Sequence, residues 1–133
     1  MCTVPQVSEL DLTDIDIVAI DLETSDPNLK TKGLGAVRKD GFVTGIAIAT
    51  KKQTFYFPLA HAMTDNLPVK ETWDYLNEKL FKNKDIRKVF HNAIYDVCWI
   101  RASTGEMVQG ELLDTMIAAS VIDETRMRYS LDA

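Results

Sequence analysis

Ile15-Asp16-Ile17-Val18-Ala19-Ile20-Asp21-Leu22-Glu23 is the stretch on which the reading of this chain turns. An apolar run of this length, edged by acids, predicts a strand buried on both faces. Working outward, Thr24 to Gly41 is turn-rich, and Pro27, Gly33, Gly35 and Gly41 read as breakers in plain loops. No Walker-type or dinucleotide fingerprint is present. Phe42 to Thr50 and Thr54 to Leu59 are strand-like and joined by the polar Lys51-Lys52-Gln53, which predicts a hairpin. Pro68 suits a first helical turn, and Val69, Trp73, Leu76 and Leu80 then recur at helical spacing along one apolar face. Ile86 to Phe90 reads as a short strand. Asn92 is placed to cap a second helix anchored by Ile94, Val97 and Cys98, and Asp114 a third through Met116, Ile117 and Val121. Trp73 and Trp99 are expected in the core. The order of strand, hairpin, helix, strand, helix, helix predicts an α/β architecture, a mixed sheet flanked by helices.

Toward the N-terminus, residues 1–14 read as a loosely attached lead-in, which leaves 15–133 as one domain. A chain of 133 residues suits a single core, and burying roughly two-thirds of its surface needs no covalent staple. Hydrophobic residues make up 46% and charged residues 26%, a globular rather than disordered balance. Cys2 and Cys98 form neither a metal-type pair nor a disulfide framework, which points to a reducing, cytoplasmic setting. The first residues lack a basic segment followed by an apolar run, so they do not read as a signal peptide. Without a stretch of about 18 apolar residues, no membrane span is expected. The net charge of −5 runs against simple nucleic-acid binding, in which Lys and Arg neutralise phosphates. Recruited divalent cations would supply that positive charge instead.

Two groups of polar residues carry chemistry. Side chains alternate along a strand, so Asp21 and Glu23 share one face while Leu22 points away. Two carboxylates held together repel unless a cation or proton intervenes, and Mg²⁺ takes such oxygen ligands together with water and substrate phosphate. For a lone Asp-x-Glu, the plain structural reading is an acidic strand end in solvent. The second group is His91-Asn92-Ala93-Ile94-Tyr95-Asp96. Tyr95 and Asp96 lie three and four positions after Asn92 and so share its side of the helix, where the dipole also favours Asp96. Capping and dipole suffice to explain this group taken by itself.

Together the two groups resemble a known family. Val18-Ala19-Ile20-Asp21-Leu22-Glu23-Thr24 resembles the first exonuclease motif of the DEDD nuclease superfamily, and His91-Asn92-Ala93-Ile94-Tyr95-Asp96 resembles the second. Between them, Tyr56-Phe57-Pro58-Leu59-Ala60-His61 is similar to the strand and turn at that place in the proofreading exonuclease domain of family A DNA polymerases. Leu113-Asp114-Thr115-Met116 and Ser130-Leu131-Asp132-Ala133 resemble that family's helix starts. The resemblance covers about residues 15–133 and suggests a polymerase of phage type. It implies a ribonuclease H-like fold and a 3′→5′ exonuclease that removes nucleoside monophosphates from a single-stranded DNA 3′ end. Two divalent ions, Mg²⁺ or Mn²⁺, would be held by Asp21, Glu23 and Asp96, one activating water and one stabilising the leaving oxygen. Leu22 and Thr24 would grip the terminal nucleotide, and Asn92 and Tyr95 the sugar-phosphates before it. Asp114 reads as a helix cap rather than a fourth ligand, and His61 and His91 as structural or supporting residues.

The superfamily's third motif, a Tyr or His followed by Asp, is not matched. Tyr129-Ser130-Leu131-Asp132 has the wrong spacing, so the resemblance places that motif several tens of residues beyond Ala133, with the C-terminal helices incomplete. The expectation is a nearly inactive, partner-dependent chain, fed by a polymerase domain in the same or a partner chain, in a bacterial or phage-infected cell. The alternatives are a ribonuclease D-like enzyme acting on RNA, a non-catalytic binding domain of the same fold, and a ribonuclease H-like endonuclease. The last of these leaves Asn92, Tyr95 and Asp96 unexplained.

Overall fold

Along the first strand the side chains alternate cleanly. Val18, Ile20 and Leu22 are buried, while Ala19, Asp21 and Glu23 are exposed. The expectation of burial on both faces is therefore corrected among the described residues: one face packs and the other carries the acids. The computed structural model describes residues 5–33, 35–38, 40–62 and 65–116. The strand, β1 (Ile17–Ser25), sits in the middle of a five-stranded sheet, with β2 (Phe42–Ala49), β3 (Thr54–Pro58), β4 (Arg87–Phe90) and β5 (Leu112–Asp114). The strand order is β3-β2-β1-β4-β5. β1 pairs antiparallel with β2 and parallel with β4; β2 and β3 form the predicted hairpin, and β4 and β5 run parallel. The sheet is mixed, as the order of elements predicted. β5 was not anticipated, because three residues are too few to show a period.

Register explains the core. Leu22, Ile46 and Phe57 lie in one row across β1, β2 and β3, and Ile20 and Ile48 face each other in the next. All five are buried and join Trp73, Leu76, Leu80, Phe81, Phe90, Trp99 and Ile100 in one cluster. Each such side chain contributes about 1.5–3 kcal/mol of transfer free energy. α3 (Val69–Leu76) begins after Pro68 and continues as a π-turn, Asn77–Phe81. Trp73, Leu76 and Leu80 are buried as expected, but Val69 is half exposed because it sits at the helix's first position. The turn-rich stretch holds two short helices, α1 (Leu29–Lys32) and α2 (Gly35–Arg38), where plain loops were expected.

Of the lead-in, the described residues include two that reach the body of the fold. Leu10 is buried in the core, and the Asp11 amide donates to Gln53 Oε1 at 2.8 Å. α4 (Ala93–Thr104) packs against the core by a face shifted from the expected one, with Val97 and Cys98 at its margin. Ile94 is 70% exposed and Val97 and Cys98 are half-buried, while Ala93, Asp96, Trp99 and Ile100 face inward. Apolar residues surround this helix, so their spacing does not choose a face; packing of Trp99 and Ile100 against the core does. The third helix expected from Asp114 begins at Thr115 and Met116, and Ile117, Val121 and Tyr129 to Ala133 lie outside the described residues. Among the described residues no helix is long and apolar enough to cross a membrane.

Candidate active site

The acids of β1 stand where the sheet changes partners. Asp21 lies opposite Ala47 and Glu23 opposite Gly45 on β2, and the register then slips so that Thr24 meets Val43. Such a bulge re-aims side chains at a strand end. Beyond it, Thr24 Oγ1 lies 2.7 Å from the Tyr95 hydroxyl on α4, and that hydroxyl donates to Asp26 Oδ2 at 3.2 Å. Asp26 also accepts from the Gly35 amide at 3.1 Å, and Arg38 stands 3.7 Å from its other oxygen. The first and second motifs are therefore joined directly, through Thr24 and Tyr95. Asn92 and Tyr95 were expected to present themselves side by side. Tyr95 instead looks back to the end of β1.

Asp96 is the most informative side chain. It is 3% exposed, and its Oδ2 has no hydrogen-bond partner among the described residues. Burial pushes its carboxyl up to about 7, the Asp21 charge pushes the same way, and a hydrogen bond from the Leu22 amide partly offsets both. Asp114 adds a smaller push in the upward direction. Burying an anion without a partner is costly. A cation arriving between Asp96 and Asp21 would relieve both burial and repulsion, so the donor set fits a divalent metal. Leu22 itself is buried at 7% exposure, and its amide is the part that reaches Asp96.

Glu23 is tied to β3. Its Oε2 accepts a 2.9 Å hydrogen bond from the Tyr56 hydroxyl, and His61 Nε2 contacts that same hydroxyl. Burial raises the Tyr56 phenol to about 12, with the Glu23 hydrogen bond and charge adding to it. Among the described residues, no three His, Cys, Asp or Glu side chains are gathered as a finished metal cage. Asp21 and Asp96 interact electrostatically, and Glu23 is hydrogen-bonded to Tyr56.

Asn92 occupies the first cap position of α4 in the left-handed conformation, φ 73°, but its side chain makes no capping bond. The expectation that Asn92 caps the helix is corrected here. Asp114 does that work from the end of β5: its Oδ1 accepts from the Asn92 amide at 3.0 Å and its Oδ2 from the Ala93 amide at 2.9 Å. Oδ1 also takes the Met116 amide at 2.9 Å, so Asp114 caps its own helix start as predicted. His91 Nδ1 sits 2.8 Å from Thr115 Oγ1, a structural contact.

A model of the 3′-5′ exonuclease family matches residues 6–133. The chain belongs to this family. This exonuclease chain is 34% identical over 124 residues to a DNA-directed DNA polymerase of Pseudomonas phage M6, covering 87% of the chain and 18% of the polymerase. It is also 31% identical over 112 residues to the exosome complex exonuclease RRP6 of Saccharomyces cerevisiae, covering 84% of the chain and 13% of that protein. The chain thus spans less than a fifth of either relative. Among solved structures, Brucella melitensis NrnC with bound Mg²⁺ shares the fold at a TM-score of 0.63, with 24% identity, 91% of this chain and 52% of that one covered.

Sequence reasoning missed Tyr56 and Asp26 as supports of the candidate site, and the reach of Asp114 to the start of α4. Tyr56 was visible as part of a strand, and alternation would have put it on the acid-bearing face. The bond between Asp26 and Tyr95 and that between Asp114 and the Asn92 amide span 69 and 22 residues, which no local pattern shows.

Proposed function

We propose that this chain is the metal-binding part of a 3′→5′ exonuclease that removes nucleoside monophosphates from a single-stranded 3′ end. Asp96 carries the reading: a buried carboxylate with an unpartnered oxygen, raised to about 7 beside Asp21, is a group that a cation would satisfy. Asp21, Glu23 and Asp96 would hold two divalent ions, Mg²⁺ or Mn²⁺. When bound, such a pair supplies an activated water and neutralises the leaving 3′ oxygen. Asp21, whose charge acts on Asp96, would share in holding the ions. The Leu22 amide steadies Asp96. Thr24 and Tyr95, already joined, would grip the terminal nucleotide as one unit. Asn92, at the start of α4, would meet the sugar-phosphate before it.

The natural substrate in this reading is a frayed DNA 3′ end delivered by a polymerase domain, in the same or a partner chain. The similarity to the phage polymerase supports it. A second reading, exonuclease action on RNA, is favoured by the similarity to RRP6. The test is single-turnover release of 5′-monophosphates from labelled single-stranded DNA and RNA, chain in excess, with Mn²⁺ or with EDTA. Asp21→Ala and Asp96→Ala are expected to cut the rate at least 100-fold. Unchanged rates in both variants would overturn the site, and faster release from RNA would select the second reading.

A further inference from the structure

We propose that Tyr56 and His61 are positioning residues that aim the Glu23 carboxylate, acting as a hydrogen-bonded strut from β3 to the end of β1. The inference rests on Glu23 being a metal ligand, as proposed above, and adds two residues that lie outside both acidic motifs.

The geometry begins with register. Tyr56 lies opposite Ala47, and Ala47 opposite Asp21, so all three stand on the same face of the sheet. Glu23 lies one row further on, opposite Gly45. To reach it, the Tyr56 ring must cross the place where a side chain at position 45 would stand. A Cβ built on Gly45 would sit 1.9 Å from the Tyr56 hydroxyl oxygen. Glycine at 45 is thus the vacancy through which the strut passes.

Proton bookkeeping gives the strut a direction. A phenol has one hydrogen, and in this geometry it is donated to Glu23 Oε2 at 2.9 Å. With that hydrogen committed, the phenol oxygen meets His61 Nε2 as an acceptor, and it also accepts from the Thr44 side chain. The chain His61→Tyr56→Glu23 is a run of donors pointing at one carboxylate oxygen, and such runs strengthen each member. The base of the strut is itself fixed: the His61 amide donates to Asn66 Oδ1 at 2.8 Å, and Asn66 Nδ2 donates back to the His61 carbonyl at 3.0 Å. One hydrogen bond at Oε2 leaves the carboxylate's remaining lone pairs available to a metal. Groups that hydrogen-bond a ligating carboxylate in this way hold it in one orientation, and their loss commonly weakens metal binding about 10–100-fold.

The experiment is Mn²⁺ titration of the 133-residue chain by calorimetry. Tyr56→Phe keeps the ring and removes the hydroxyl that links His61 to Glu23; the expected result is a roughly 10-fold weaker Mn²⁺ affinity with an unchanged circular dichroism spectrum. His61→Ala should lose affinity in the same direction, and His61→Gln, which still offers an N–H, should restore part of it. In a Glu23→Ala background, Tyr56→Phe should have no further effect, because the strut then has nothing to aim; a merely structural tyrosine would add its cost regardless. If Tyr56→Phe binds Mn²⁺ within about twofold of the unaltered chain while Asp21→Ala does not, the strut is overturned and the metal site stands. An additive Tyr56→Phe loss in the Glu23→Ala background overturns the strut equally. If the unaltered chain takes up no Mn²⁺, or if Asp21→Ala leaves affinity unchanged, the metal site and the strut fall together.

Discussion

The two faces of β1 differ in almost every respect although they alternate residue by residue. On one, Val18, Ile20 and Leu22 pack into the apolar cluster beneath α3 and α4. On the other, Asp21 and Glu23 stand exposed, flanked across β2 by Gly45, Ala47 and Ala49. A hollow of about 260 Å³ lies over this second face, lined by Ala19, Asp21, Ala47, Ala49, Val89 and Thr115 among others. The difference teaches a division of labour. Dispersion and the hydrophobic effect act on the packed face and hold the strand still; the acids then keep their separation without folding being asked to neutralise them. Asp96 crosses this division. It comes from the packed side, buried like a core residue, yet it faces the charge of Asp21.

The comparison is most easily broken at Ile20. Ile20→Ala should cost about 2–5 kcal/mol in urea unfolding, because Ile20 is fully packed against Ile48 and its neighbours. Asp21→Asn, one residue along on the other face, should leave stability equal or higher while abolishing Mn²⁺ binding. Equal destabilisation by both would erase the proposed separation of roles.

Asp96 offers the next largest effect, and its sign is opposite to that of an ordinary paired carboxylate. Its folded value of about 7 lies above the ordinary 3.8, so the folded chain keeps a proton that the unfolded chain gives up. Stability from this group is complete below about pH 4 and is lost as pH rises through 7. In EDTA, Asp96→Asn should therefore stabilise the chain at pH 8, by up to about 4 kcal/mol, and have little effect at pH 4. Adding Mn²⁺ should raise the melting temperature of the unaltered chain at pH 8 and not that of Asp96→Asn. Melting curves at the two pH values check both statements.

Smaller effects probe the ties between the two regions. Asp114→Ala removes three amide partners, at Asn92, Ala93 and Met116, and should cost about 1–2 kcal/mol with faster hydrogen exchange at the start of α4. Thr24→Val breaks the bond to Tyr95 and should cost about 1 kcal/mol. If Thr24 and Tyr95 act as one grip, Thr24→Val and Tyr95→Phe should weaken oligonucleotide binding by no more together than either does alone.

Much of this was legible beforehand. Apolar runs and turn residues located β1, the β2–β3 hairpin, β4, and the starts of α3 and α4, since periodicity and breakers are properties of neighbouring residues. Alternation placed Asp21 and Glu23 on one face for the same reason. What could not be read was which way α4 turns, because Ile94, Val97, Trp99 and Ile100 surround it with apolar surface and leave the choice to packing. Nor could Asn92 be seen to yield its capping role, since the carboxylate that replaces it belongs to Asp114 on another strand.

By itself, then, the sequence determined the strands, the helix starts and the acids proposed here as metal ligands, all read from patterns within a few residues along the chain. Only the tertiary structure decided what each acid faces. It buried Asp96 against the Leu22 amide, drew Glu23 to Tyr56 and used Asp114 as a cap. The physical reason is that a carboxylate's proton affinity and direction depend on local dielectric and on donors within a few ångströms. In this fold those donors are supplied by segments tens of residues away.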